Sequence, residues 1–249
     1  MTQREWLALM IGNSRLHWAY FVGNDLQQTW NTFKGESLRE LVEILPSPLL
    51  DYFNAQIPLV VASVVPSATR FYLQLPQTEI INPRILPLMG VYSTMGIDRI
   101  LALWGGGCHY GFPILVIDSG TALTVTGADS QYKLIGGAIL PGVKLQMESL
   151  FFNTAALPEI EVLDHITPRW ALDTPSAINS GILYTLIGGI RDFVNDWLYQ
   201  YPQSSVVLTG GDTLLLHQYL RHVDQFLADK IKVDANLIFY GMQQCFLND

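Results

Sequence analysis

Residues 114–126, ILVIDSGTALTVT, place one carboxylate at the end of an apolar strand. The run 114–117 ends in Asp118, turns through Ser119-Gly120 and resumes as an alternating strand from Thr121. A glycine turn of this kind lets a ligand approach the main chain and offers N–H groups to phosphate oxygens, while the acid can hold a cation. A second turn of the same design follows the apolar run 7–11, where Gly12-Asn13-Ser14 separates it from a strand over 16–22. Further turns with polar residues stand at Gly96-Ile97-Asp98-Arg99, Gly136-Gly137 and Thr209-Gly210-Gly211. Any one of them is ordinary turn chemistry. Five in this order point to a nucleotide site assembled from strand ends.

Other chemistries lack their residues. No GxxxxGK[ST] loop, HRD/DFG set or GxGxxG fingerprint occurs. Ser119 is not in a GxSxG elbow. His217 and His222 are five residues apart, off a common helical face, and Cys108 and Cys245 are distant in sequence, so a zinc site is not indicated.

The turns need a scaffold, and the composition supplies one. Of 249 residues, 49% are hydrophobic and 14% charged, enough apolar material for a large core or two ordinary ones. The net charge of −8 argues against a general nucleic-acid surface, which depends on Lys and Arg. Two cysteines suit a reduced cytoplasmic setting. The short apolar run after the N-terminus does not read as a secretory leader, and no apolar run reaches about 18 residues, so no membrane partner is expected.

Along the chain, 6–11, 16–22 and 26–33 read as strands, 37–45 as a helix stopped by Pro46, 58–65 as a buried strand and 78–81 as a weaker one. A helical run begins at Asp98 and is interrupted by the glycines at 105–107. The second half repeats the order. Strands at 114–117, 121–127 and 132–140 precede a helix at 144–152, a long helix at about 175–199 and a strand at 205–208. Thr174 sits just before Pro175, a natural first helical residue. Ile182, Leu186, Gly189, Phe193 and Trp197 are expected to line one face of that helix. A helix at 214–220, a short strand near 231–233 and a helix at 236–246 follow. Two α/β half-domains are expected, residues 1–112 and 113–249.

The segments IGNSRLHWA, MGIDRILAL, VIDSGTALTV, GGAILPGVKL, DTPSAINSG and VVLTGGD resemble the ordered motifs of type III pantothenate kinases. That family belongs to the actin, sugar-kinase and heat-shock-chaperone ATPase superfamily. The resemblance runs from the first strand into the last third of the chain. It implies two ribonuclease-H-like (actin-like ATPase) domains, each a mixed five-stranded sheet with flanking helices, and a nucleotide cleft between them. The implied reaction moves the γ-phosphate of ATP to the primary hydroxyl of pantothenate, the first step of coenzyme A biosynthesis. It brings Mg²⁺, a monovalent cation (K⁺ or NH₄⁺) and a homodimer with it.

Carried over position by position, the resemblance implies Asp98 as general base. It implies Gly96, Ile97, Asp98, Arg99, Thr174 and Tyr92 as pantothenate contacts, although Tyr92 stands at a different spacing from Asp98 than in the family. It implies an ATP-contacting first turn made of Met10, Ile11, Gly12, Asn13, Ser14, Arg15, Leu16 and His17. Thr121, Gly210 and Gly211 join that ATP set, and Asp118 becomes the monovalent-cation ligand. One departure stands out: the family's first motif usually reads Asp-x-Gly-Asn-Thr, and Met10 replaces its Asp. Methionine offers magnesium no hard oxygen. Two other readings therefore stay open, a non-catalytic regulatory accessory factor and a kinase for another small hydroxylated substrate.

Overall fold

The computed structural model describes residues 4–35, 40, 43–162 and 165–247. Its chain divides into two compact units, Met1–Gly105 with Leu237–Asp249, and Gly106–Asn236.

In the first unit, strands β1 (Glu5–Ile11), β2 (Leu16–Val22), β3 (Asp25–Thr32), β4 (Leu59–Ser63) and β5 (Thr78–Ile80) form one sheet in the order β3-β2-β1-β4-β5. The hairpin partners β1–β2 and β2–β3 are antiparallel, and β1–β4 and β4–β5 are parallel. A strand covered on both faces must be apolar at every position, and β1 is buried from Trp6 onward. Leu7, Leu9, Trp18 and Val61 pack with Leu49 of α1 (Ser47–Asn54) and Tyr72 of α2 (Pro66–Tyr72). On the other side Trp6 stacks on Phe21 at 4.2 Å and meets Phe246 of α8 (Leu237–Leu247) at 4.6 Å. The helix expected over 37–45 lies largely outside the described residues.

The second unit repeats this plan. Strands β6 (Ile114–Ser119), β7 (Ala122–Ala128), β8 (Leu134–Pro141), β9 (Ser205–Thr209) and β10 (Ile231–Val233) pair in the order β10-β9-β6-β7-β8. The three-strand meander is again antiparallel, and β6–β9 and β9–β10 are parallel. Four helices belong to this sheet: α4 (Val143–Asn153), α5 (Thr174–Gln200), α6 (Thr213–Val223) and α7 (Gln225–Ala228). Counted along the chain, each sheet has the order third-second-first-fourth-fifth, so the duplication expected from the sequence is present in the backbone. Among the described residues no helix is long and apolar enough to cross a membrane.

Three expectations are corrected here. The glycines at 105–107 do not interrupt a helix, because α3 runs unbroken over Ile97–Tyr110. They are sites of close packing: a Cβ on Gly105 would lie 2.1 Å from Leu237 O, and one on Gly107 would meet the Phe112 ring. On α5 the buried face is rotated from the expected one. Ile182, Leu186 and Trp197 are buried, but so are Leu183, Ile190 and Val194, whereas Gly189 and Phe193 face outward. Thr174 is already helical, and Asp173 is the residue that caps α5, accepting the Ser176 N–H at 2.9 Å. The compact units divide inside α3, between Gly105 and Gly106, and α8 belongs to the first of them.

Gly241 of α8 shows how tightly that helix is fitted, since a Cβ there would lie 2.2 Å from Leu101 O of α3. Backbone atoms cannot step aside as a side-chain tip can. Gly241→Ala should therefore cost about 2–3 kcal/mol of stability by overpacking, read as a lower thermal midpoint than the wild type.

Candidate functional site

The first unit carries two of the predicted clusters. At the β1–β2 hairpin the Ile11–Leu16 pair and the Gly12 N–H to Arg15 O bond (3.0 Å) close a turn that leaves Asn13 and Ser14 exposed at its tip. Basic groups gather around it. Lys34 Nζ donates to Asn13 O at 2.6 Å, and the Arg15 guanidinium lies 5.7 Å from the Phe33 ring centre. His17 Nδ1 is 2.6 Å from Asn31 Oδ1, an arrangement that puts the ring proton on Nδ1 and leaves Nε2 an acceptor. Burial and, less strongly, the Arg15 charge hold His17 below its ordinary pKa, against the opposing pull of Asn31. Met10 is buried in β1 between its register partners His17 and Ala62, and it brings no oxygen to this turn.

The second cluster opens α3. Ile100 N–H to Gly96 O starts the first turn, and Asp98 sits within it. Asp98 Oδ1 accepts the Arg99 N–H at 2.8 Å, which leaves Oδ2 without a hydrogen-bond partner among the described residues. A Cβ on residue 96 would lie 2.4 Å from Asp98 Oδ1, so glycine is what allows the carboxylate to fold back over its own turn. Arg99 is buried, and its Nη1 donates to Tyr92 Oη at 2.7 Å. The tyrosine that matched only loosely by spacing is thus bonded directly to the arginine of the motif. A turn closed by Met95 N–H to Tyr92 O brings it there.

In the second unit the ends of β6 and β9 meet. Asp118 pairs in register with Thr124 and Thr209, followed by fully buried Ser119 and the Gly120-Thr121 turn. Gly142, after β8, donates its N–H to Thr121 O at 2.9 Å, and a Cβ on it would stand 2.0 Å from Gly120 O. Gly210 has φ +95°, and a Cβ there would lie 2.4 Å from both Asp118 Oδ1 and Ser119 O. The space beside the Asp118 carboxylate therefore depends on glycine. Loosely coordinated monovalent cations accept such oxygen donors, so this corner fits the cation expected at Asp118. Among the described residues no three His, Cys, Asp or Glu side chains gather to hold a metal ion. Mg²⁺ commonly arrives on substrate phosphates with only one or two carboxylates.

Two features had not been singled out from the sequence. One is Asp212, directly after Gly211, whose N–H donates to Ser119 O at 3.0 Å and whose Oδ2 lies 3.4 Å from Ser119 Oγ. Burial raises its pKa, and the Ser119 hydroxyl opposes that rise. Its place after the TGG turn was the available signal. The other is a cavity of about 540 Å³ with Thr174 on its wall, lined also by Leu150, Leu157, Leu172 and Ile182.

The sequence pattern of type III pantothenate kinases matches residues 6–196. This chain belongs to the type III pantothenate kinase family. The type III pantothenate kinase of a Nostoc species is 45% identical over 259 residues, covering 97% of this chain and 94% of that protein. That of a Synechocystis species is 46% identical over 242 residues, covering 96% and 90%. Among solved structures, a Baf family protein from Campylobacter jejuni matches with a TM-score of 0.61 at 22% identity, over 97% of this chain and 98% of that one. The activator of 2-hydroxyisocaproyl-CoA dehydratase from Clostridium difficile, solved with bound ADPNP, matches with a TM-score of 0.50 at 10% identity, over 98% and 93%. These structural likenesses concern the fold, which is that of actin-like ATPases and sugar kinases.

The lowered pKa of His17 has a consequence for stability. Its folded value lies below the ordinary 6.5, so the folded state prefers the neutral ring. This contribution is complete above pH 6.5 and is lost as the pH falls through the folded value. Thermal midpoints measured across this range should decline toward acid in the wild type and decline less steeply in His17→Gln.

Proposed function

We propose that this chain transfers the γ-phosphoryl group of ATP to the primary hydroxyl of pantothenate, giving 4′-phosphopantothenate and ADP at the first step of coenzyme A biosynthesis. The observation that carries this reading is the Gly96-Ile97-Asp98-Arg99 start of α3, complete in a member of the type III pantothenate kinase family.

The substrate's hydroxyl oxygen attacks the γ-phosphorus, the bond to the bridging β–γ oxygen breaks, and the hydroxyl proton passes to Asp98. Phosphoryl transfer of this loose kind asks little of the base beyond position. The Arg99 N–H bond fixes Oδ1 and leaves Oδ2 to receive the proton. Arg99, steadied by Tyr92, is the donor for the substrate's polar groups, and its planar fork suits a carboxylate. Thr174, on the cavity wall, is a further substrate contact.

The Gly12-Asn13-Ser14 turn and Thr121 take the phosphates, and Gly210 and Gly211 let the main chain approach the nucleoside. Lys34, Arg15 and His17 border the first of these turns. Asp118 would hold a monovalent cation. Met10 offers Mg²⁺ no oxygen at the first turn, so Mg²⁺ would come bound to the ATP phosphates and would supply charge neutralisation there. Trp170 and Leu172, apolar and exposed beside the cavity, support a homodimer that covers this face. The reaction belongs to the cytoplasm, where ATP is available and the two free cysteines stay reduced.

A coupled assay with pantothenate, Mg²⁺–ATP and either K⁺ or a bulky organic cation tests the whole reading. Turnover that requires K⁺ or NH₄⁺ is the expected result. Nucleotide binding without turnover would instead favour the regulatory reading, to which Met10 lends weight. Asp98→Asn should lower kcat about 10²–10⁴-fold at an unchanged thermal midpoint. Tyr92→Phe removes one hydrogen bond to a charged group and should raise KM for pantothenate about tenfold with little change in kcat. Steady-state kinetics of the two variants separate the roles.

A further inference from the structure

The turn after β9 carries a carboxylate to which the mechanism above gives no task. Asp212 occupies the N-cap position of α6, where an Asp ordinarily accepts a hydrogen bond from an amide of the first turn. The chain uses aspartate that way twice in the same unit. Asp173 accepts from Ser176 N–H at the start of α5, and Asp224 accepts from Leu227 N–H at the start of α7. Asp212 makes no such side-chain bond. Its carboxylate turns to Ser119 Oγ, 3.4 Å away, while its own N–H donates to Ser119 O at 3.0 Å.

Ser119 is completely buried between Asp118 and the Gly120-Thr121 turn. The hydroxyl on one side and the carbonyl on the other are thus both held by a single residue of the neighbouring turn. Asp212 is itself partly buried, and no cationic side chain reaches it among the described residues. A mere tie would be made more cheaply by asparagine, which accepts the same hydroxyl bond without desolvating a charge. The start of α6 gives a carboxylate here a modest return through the helix dipole, and positive charge arriving beside it would add to that return.

We infer that Asp212 is a positioning residue for the nucleotide. Through Ser119 it sets the Asp118–Thr121 turn, and its negative charge reinforces Asp118 in drawing the monovalent cation that accompanies ATP. The inference rests on the proposed kinase reading for the identity of the ligand, and its test does not depend on pantothenate turnover.

The probe is a non-hydrolysable ATP analogue with Mg²⁺, titrated calorimetrically into the full chain. Titrations are run in KCl and in tetramethylammonium chloride of equal ionic strength. The wild type should bind more tightly in KCl. Asp212→Asn, which keeps the acceptor and removes the charge, should weaken binding in KCl about tenfold and flatten the difference between the two salts. Its thermal midpoint without nucleotide should be equal to or above that of the wild type. Ser119→Ala, which removes the tie and keeps the charge, should weaken binding in both salts and leave the K⁺ preference in place.

Unchanged affinity and salt dependence in Asp212→Asn would overturn the inference. So would a lower thermal midpoint with the K⁺ preference intact, the signature of a purely structural tie. Should Asp212→Asn fail to fold, Asp212→Ser, which also removes the charge, decides by the same two readings. A wild type that binds the analogue with K⁺ preference but leaves pantothenate unphosphorylated would remove the kinase reading alone. A wild type blind to K⁺ would remove the inference on Asp212 as well.

Discussion

No side-chain carbon fits where the turn after β9 meets the end of β6. Gly210 adopts φ +95° with its missing Cβ pointed at Asp118 Oδ1 and Ser119 O, and Gly142 is pressed equally close to Gly120 O. These approaches bring the ends of β6 and β9 and the start of α4 into one corner of the second unit. Parallel pairing of β6 with β9 sets the height of the two strand ends. The burial of β6 between neighbours on both sides leaves Asp118 as its polar outlet near the end. A shift of the Gly210 turn would move carboxylate, serine and helix start together.

The first unit solves a related problem with side chains in place of backbone contact. Met10, ahead of its hairpin turn, is part of a continuous apolar strand and brings no carboxylate. Lys34 and Arg15 border the tip, and His17 sits in register with Met10 with its proton directed toward Asn31. The turn is therefore served by donors and cations. That is a coherent environment for phosphate oxygens even without a metal-binding carboxylate.

Much of this was legible in the sequence, for physical reasons. Strands such as 7–11 and 114–117 are uniformly apolar because both faces are covered, and glycine-bearing turns mark their ends. The duplicated order of strands and helices followed from those two signals. What stayed hidden depends on tertiary partners. The three glycines at 105–107 look like an interruption because glycine disfavours helix on its own; contact with Leu237 and Phe112 outweighs that preference. The five positions expected on one face of α5 do share a face at 3.6 residues per turn, but the sheet and neighbouring helices cover an arc further round the helix, at Leu183, Ile187, Ile190 and Val194. The Tyr92–Arg99 bond spans an irregular loop whose path no periodicity encodes. Nothing in the residue pattern tells that the Asp212 carboxylate turns toward Ser119, because that contact joins strand ends 93 residues apart.

The return of α8 to the first unit bears on how the protein is made. Trp6, near the beginning of the chain, is covered by Phe246, and Gln243 donates to the carbonyl of Asn24, 219 residues earlier in sequence. Contacts of such separation form late, because the intervening chain must be ordered or its closure entropy met first. During synthesis the second unit has all its residues available while the first still lacks a helix. The earlier of the two units to leave the ribosome is thus the one that finishes last, and one apolar flank of β1 stays open until α8 has been synthesised.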